Sequence, residues 1–190
     1  MKQKWLNAVR EFQKRFDTPL AEEGTALAQC PAAHRELNKR ITTEEVGETR
    51  VKGILAGSLV EIADGCADSI YVIAHAINQL GRRPNAQLDA AANVLLSETL
   101  QRLELAFEGG PGVTEACLDR QLSYAEIVIR GIAAAYEIPL DEVFAEVHRS
   151  NMTKVWEDGK GRKDEGGKVL KPKSYSRPDI AAVLARRPCE

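Results

Sequence analysis

The stretch Ser58-Leu59-Val60-Glu61-Ile62-Ala63-Asp64-Gly65-Cys66-Ala67-Asp68-Ser69-Ile70-Tyr71-Val72-Ile73-Ala74-His75-Ala76-Ile77-Asn78-Gln79-Leu80-Gly81 decides the fold. Ser58 is a good N-cap and Gly81 supplies a stop, so the residues between them form one long helix. Glu61, Asp64 and Asp68 recur at steps of three and four, which return to one side of a helix within an arc of about 60°. From Gly53 to Gly81, 29 residues, there is no Lys or Arg. These acids therefore have no basic partner within their own helix. The segment is the most apolar of the chain, yet three carboxylates and His75 exclude an ordinary membrane span. It reads as a soluble helix.

The flanking sequence is helical too. Trp5, Val9, Phe12 and Phe16 recur at steps of four, three and four and draw an apolar stripe along a first helix, which Asp17-Thr18-Pro19 ends. Residues 19–31 form a loop, and a second helix spans residues 32–51, carrying Glu44, Glu45 and Glu48. A fourth fits residues 86–107, where Leu88, Ala92, Leu95, Leu96, Leu100 and Leu103 share a face before Gly109-Gly110-Pro111-Gly112 breaks the chain. A fifth runs over residues 114–136 and a sixth over residues 140–152, after Ile138-Pro139. Apart from Lys168-Val169-Leu170, nothing reads as a strand. The fold class is all-α.

Composition bounds the function. The 190 residues hold 26 Lys plus Arg against 28 Asp plus Glu, and 44% are apolar. That is one domain, or one domain with an insertion, with enough apolar residues for a real core. Cys30, Cys66, Cys117 and Cys189 are scattered without a C-x-x-C pair, which argues for free thiols over a zinc cage or disulfide framework. The amino-terminal Met1-Lys2-Gln3-Lys4-Trp5 lacks the apolar block of a secretory signal, so a cytoplasmic location is expected. Residues 149–187 hold 11 Lys plus Arg and 5 Asp plus Glu, a net of +6, so the rest must carry −8 to reach the total of −2. An acidic helical body thus precedes a basic extension.

A carboxylate facing a packed interior must be paired, protonated or bound to a cation, because an uncompensated buried charge costs several kcal/mol. A carboxylate-only set without nearby Cys selects a hard ion such as Mg²⁺ or Mn²⁺. No D-x-[DN]-x-[DN]-G run exists for a calcium loop. A di-iron bundle needs Glu-x-x-His, and the residues three before His34, His75 and His148 are Pro31, Val72 and Ala145. His75 reads as a core or surface histidine.

Glu44-Glu45-x-x-Glu48, twelve residues, then Glu61-x-x-Asp64 resembles the EExxE…ExxD signature of the all-α nucleoside triphosphate pyrophosphohydrolases, the MazG-like and phosphoribosyl-ATP pyrophosphohydrolase-like superfamily. A second likeness, in the right order, runs from Ile138-Pro139-Leu140-Asp141-Glu142 through His148-Arg149-Ser150-Asn151-Met152-Thr153-Lys154 to Asp158-Gly159-Lys160 and Lys168-Val169-Leu170-Lys171. It covers residues 5–80 and 122–182; residues 82–121 look like an insertion. The resemblance implies a MazG-like helical domain over residues 1–156 with an inserted helix, and an irregular basic extension over residues 157–190.

What it implies chemically is metal-dependent hydrolysis of a (deoxy)nucleoside triphosphate to the monophosphate and pyrophosphate. Glu45, Glu48, Glu61 and Asp64 would hold Mg²⁺ or Mn²⁺. Glu44 would bind a second ion or accept a proton from the attacking water, and Asp68 would support from behind. Arg149, Asn151, Lys154 and Lys171 would bind phosphate, and His148 would contact the base or cap its helix. The overall texture is similar to phage-type MazG-like enzymes acting on dGTP or GTP; dUTP, dCTP and phosphoribosyl-ATP are the alternatives. A homo-oligomer, dimer or tetramer, is expected, with no membrane partner and no stable nucleic-acid complex. The reading from another class is a non-catalytic helical scaffold whose basic tail grips nucleic acid, with binding that weakens steeply with salt.

Overall fold

Trp5, Val9, Phe12 and Phe16 are all buried, as the stripe requires, and they lie along helix α1, Gln3–Arg15, and its C-cap. The computed structural model describes residues 1–82, 96–108 and 114–186. Six further α-helices are described: α2 Ala32–Glu48, α3 Leu59–Leu80, α4 Leu96–Glu108, α5 Glu115–Ala135, α6 Leu140–Met152 and α7 Ile180–Ala185. Among the described residues there is no strand; Lys163 and Val169 form an isolated antiparallel bridge, so the anticipated extended run at 168–170 pairs back onto its own segment. Residues 83–95, with Leu88, Ala92 and Leu95, and the Gly109-Gly110-Pro111-Gly112 turn lie outside the described residues, as does Cys189. Cys30, Cys66 and Cys117 are free thiols.

Helix α3 is the axle of the molecule. Ser58 Oγ accepts from the Glu61 amide at 3.4 Å, and Gly81 closes the helix in the left-handed region at φ 64°. Beyond Ala67 every residue but Asp68 is buried, and the helix packs on α1, α2, α5 and α6. That all-round burial explains why its apolar character nearly matches a membrane segment. No helix among the described residues is long and apolar enough to cross a membrane.

Two elements depart from the sequence reading. Helix α2 stops its regular winding at Glu48 and continues as a π-helical segment, Thr49–Ile54, in place of a plain helix to 51. The cause is the tight return onto α3: a Cβ on Gly53 would lie 2.9 Å from Ile62 Cγ1, and one on Gly65 would lie 2.9 Å from Thr49 Cα. The helices touch backbone to backbone there. The basic extension is irregular up to Asp179, as expected, but it ends in the short helix α7 and folds onto the body. Val169 and Ile180 join the main apolar core, the Phe16 ring lies against Gly161, and Asp179 caps α7 by accepting from the Ala182 amide at 3.0 Å.

Candidate functional site

Because α2 and α3 run antiparallel, their polar faces confront each other in register. Thr49 Oγ1 lies 3.3 Å from Ser69 Oγ at one level, and Asn38 Oδ1 lies 3.0 Å from His75 Nδ1 further along. Glu45 and Glu48 therefore face the side of α3 that carries Asp64 and Asp68. These residues line a cleft of about 730 Å³, closed on its other sides by Phe12 of α1, by α6 and by the folded extension.

Six acids border this cleft, Glu44, Glu45, Glu48, Glu61, Asp64 and Asp68, and six cations, Lys52, Lys154, Lys168, Lys171, Lys173 and Arg177. The acids come from α2 and α3 and most of the bases from beyond α6. The sequence places no base beside the acids of α3, and no ion pair to Glu61, Asp64 or Asp68 is found among the described residues, whereas two acids of α2 are paired. Lys168 pairs with Glu44, and Lys52 Nζ lies 2.6 Å from Glu48. Glu61 stands exposed near the first turn of α3. Lys154 and Lys171 bear on the deeper acids without a direct ion pair: both oppose the upward shift at Asp68.

Depth sets the electrostatics. Burial, then the neighbouring Glu44, pushes the Glu45 carboxyl from 4.5 up to about 6. Asp64 is raised by burial and by Glu61, and Asp68 well above the carboxylate range by burial, then by Glu45 and Asp64. Burial drives Lys154 the opposite way, from 10.5 down to about 8, although Asp68 favours its charge. Asp64 Oδ1 is buried with no hydrogen-bond partner among the described residues. Three carboxylates crowded and dried in this way, one with an orphaned oxygen, are short of positive charge.

The donor set is all carboxylate oxygen, which suits Mg²⁺ or Mn²⁺ in kind. In arrangement, no three His, Cys, Asp or Glu among the described residues converge closely enough to hold one ion, and Glu44 and Glu48 are paired with lysines.

The phosphate-binding candidates divide. Asn151, Lys154 and Lys171 line the cleft. The Lys154 ammonium lies 5.8 Å from the Phe12 ring centroid and 6.0 Å from that of Tyr175, held between two aromatic faces. Arg149 is elsewhere. Its Nε and Nη2 donate to Glu146 at 2.8 and 2.7 Å, and Nη1 and Nη2 reach Ser176 Oγ and the Arg177 carbonyl. It is a tie that fastens the extension to α6. His148 is also off the cleft, with Nδ1 3.3 Å from the Tyr71 hydroxyl and Nε2 3.7 Å from Glu11. His75, by contrast, is buried at the inner end of the cleft.

Sequence reasoning missed Lys52, Lys168, Lys173 and Arg177. Lys52 could have been found from its i, i+4 relation to Glu48. The others depend on how the extension folds back, where Asp164 fixes the turn by accepting from the Lys168 amide at 2.8 Å and from Arg40 Nη2 at 3.2 Å. No protein-family model, curated protein or solved structure matches the chain.

Proposed function

We propose that the chain hydrolyses a (deoxy)nucleoside triphosphate to the monophosphate and pyrophosphate with the help of Mg²⁺ or Mn²⁺. The observation that carries this reading is the cleft in which six acids face six cations. A polyanion alone would be repelled by the acids, and a divalent cation alone by the bases. A triphosphate accompanied by divalent ions satisfies both halves at once and leaves the balance of charge unchanged.

Glu45, Glu48, Glu61 and Asp64 would hold the metal, with Asp68 supporting them from behind. The ion supplies screening of the phosphate charge and polarisation of the phosphoryl oxygens. Water adds to the α-phosphorus, the bond from that phosphorus to the bridging oxygen breaks, and pyrophosphate leaves. Glu44 or Glu45 accepts the water's proton. Lys154, Lys171 and Asn151 hold the phosphates, joined by Lys168 once it releases Glu44, while the charge on the departing pyrophosphate is met by these same lysines.

The (d)GTP preference remains part of the proposal, resting on resemblance alone. A homo-oligomer is proposed on firmer ground: Val51, Leu55, Leu59 and Val60 are 58%, 68%, 38% and 38% exposed around the turn that joins α2 to α3, beside Glu48 and Glu61. A second copy covering that turn would complete the cleft mouth; only monomer in sedimentation at micromolar concentration would refute it. The nucleic-acid scaffold is disfavoured because three lysines of the extension, Lys168, Lys171 and Lys173, line the cleft with the acids.

The test of activity is a panel of nucleoside triphosphates incubated with Mg²⁺ or Mn²⁺ and resolved by chromatography. Monophosphate and pyrophosphate should form, and Glu48→Ala or Asp64→Ala should abolish turnover while leaving helix content intact. Undiminished turnover in either variant contradicts the assignment.

A further inference from the structure

Past the acids, the same face of α3 continues through Val72 to His75, seven residues beyond Asp68 and a rise of about 10 Å. Leu37 and Ile41 of α2 stand opposite, and with Val72 they form a small apolar cluster apart from the main core, each 8% exposed. All three border the cleft, as does His75. The cleft thus passes from a charged half to a narrow slot with aliphatic walls and a single imidazole.

The imidazole is held in a defined state. Asn38, fully buried behind it, presents Oδ1 to His75 Nδ1 at 3.0 Å. A carbonyl oxygen only accepts, so Nδ1 carries the hydrogen and Nε2 keeps its lone pair. Burial pushes the ring's pKa down to about 4, which keeps it neutral near pH 7. No hydrogen bond to Nε2 is found among the described residues, and Asn38 Nδ2 is buried without a partner there. A pair serving the core alone would be expected to satisfy itself.

We propose that this slot takes the flat heteroaromatic base of the nucleotide, with Leu37, Ile41 and Val72 packing on its faces and His75 Nε2 accepting an N–H from its edge. The inference rests on the triphosphate reading and supplies the base contact once expected of His148. It makes His75 a specificity-determining residue and Asn38 a positioning residue that fixes the tautomer.

The test compares the unmodified chain with His75→Phe and Asn38→Leu on the eight common ribo- and deoxyribonucleoside triphosphates with Mn²⁺, using inhibition by inorganic tripolyphosphate as a probe of the phosphate half. Loss of one hydrogen bond should lower kcat/KM for the preferred nucleotide about 10- to 100-fold. The loss should fall mainly on KM, the spread among bases should narrow, and tripolyphosphate inhibition should be unchanged. Base preference retained in both variants overturns the slot while the triphosphate reading stands. An unmodified chain that cleaves no triphosphate and ignores tripolyphosphate overturns both. Because His75 is buried and its variants could misfold, the unmodified chain gives a second readout: its His75 Nε2 nitrogen resonance should move on adding the preferred nucleoside monophosphate and not on adding tripolyphosphate. A resonance indifferent to the monophosphate also overturns the proposal.

Discussion

Replacing Glu45 by Gln should stabilise the metal-free protein and destabilise the metal-loaded one relative to the unmodified chain. Glu45 faces the cleft, its side chain has no hydrogen-bond partner among the described residues, and its carboxyl is raised from 4.5 to about 6 by burial and by Glu44. The folded chain therefore holds a proton that the unfolded chain has already released between those two pH values. Stability from this group is complete below 4.5 and is lost as pH rises through about 6. A shift of this size corresponds to about 2 kcal/mol at most at pH 7.5, less whatever water in the cleft screens. Gln keeps the shape and removes the charge, so metal-free Glu45→Gln should match the unmodified chain near pH 4.5 and exceed it at pH 7.5. For a chain of this length about 2–4 °C in Tm accompanies each kcal/mol, so the gain should be about 3–8 °C. Saturating Mn²⁺ should reverse the order, because the unmodified chain then gains binding energy that the variant lacks. Thermal unfolding followed by circular dichroism at both pH values, with chelator or with Mn²⁺, reads all four arms. A variant no more stable than the unmodified chain at pH 7.5 in chelator, or an order that Mn²⁺ leaves unchanged, refutes the reasoning.

Other outcomes follow from the same geometry. Gly65→Ala should cost about 1–3 kcal/mol by forcing α2 and α3 apart and should depress turnover with it, since the added methyl meets Thr49 backbone; an unchanged Tm would contradict the backbone contact. Arg149→Ala should lower Tm slightly, by about 1 kcal/mol or less of stability, and leave kcat and KM unchanged, because its bonds go to Glu146 and the extension; a large rise in KM would restore it to the phosphate site. Lys154 loses its charge above about 8, so kcat/KM should fall as pH rises past that value, and Lys154→Arg should extend the plateau upward; coincident profiles would remove Lys154 from phosphate binding.

The sequence carried the helices that local chemistry dictates. Ser58 and Gly81 bound α3 as their cap preferences require, Thr114 caps α5 through the Cys117 amide at 3.2 Å, and α6 begins directly after Pro139. The acid stripes were legible for the same reason: spacing on a helix is local information. Two features were not. The π-helical widening after Glu48 depends on how closely Gly53 and Gly65 let the helices meet, and the neutralisation of Glu44 depends on where a turn around Asp164 delivers Lys168. Helix α7 stood in between, since Asp179 ahead of Ile180-Ala181-Ala182-Val183-Leu184-Ala185 is a readable start signal that the basic texture around it obscured. Nothing in the spacing of His148 and His75 showed which would reach the cleft; that follows from the partnership of His75 with Asn38, two residues 37 positions apart.

The separation between the two charged halves also bears on how the molecule is made. Glu44 and Lys168 stand 124 positions apart along the chain, whereas α2 and α3 are neighbours joined by a short reversal. Hairpin pairing encloses little loop entropy and belongs early on the folding clock, while closure of the long arc that returns the lysines comes late. Helicity and the charged cleft are therefore acquired at different times, and a newly synthesised chain looks finished to a spectrometer before its lysines have closed on the acids.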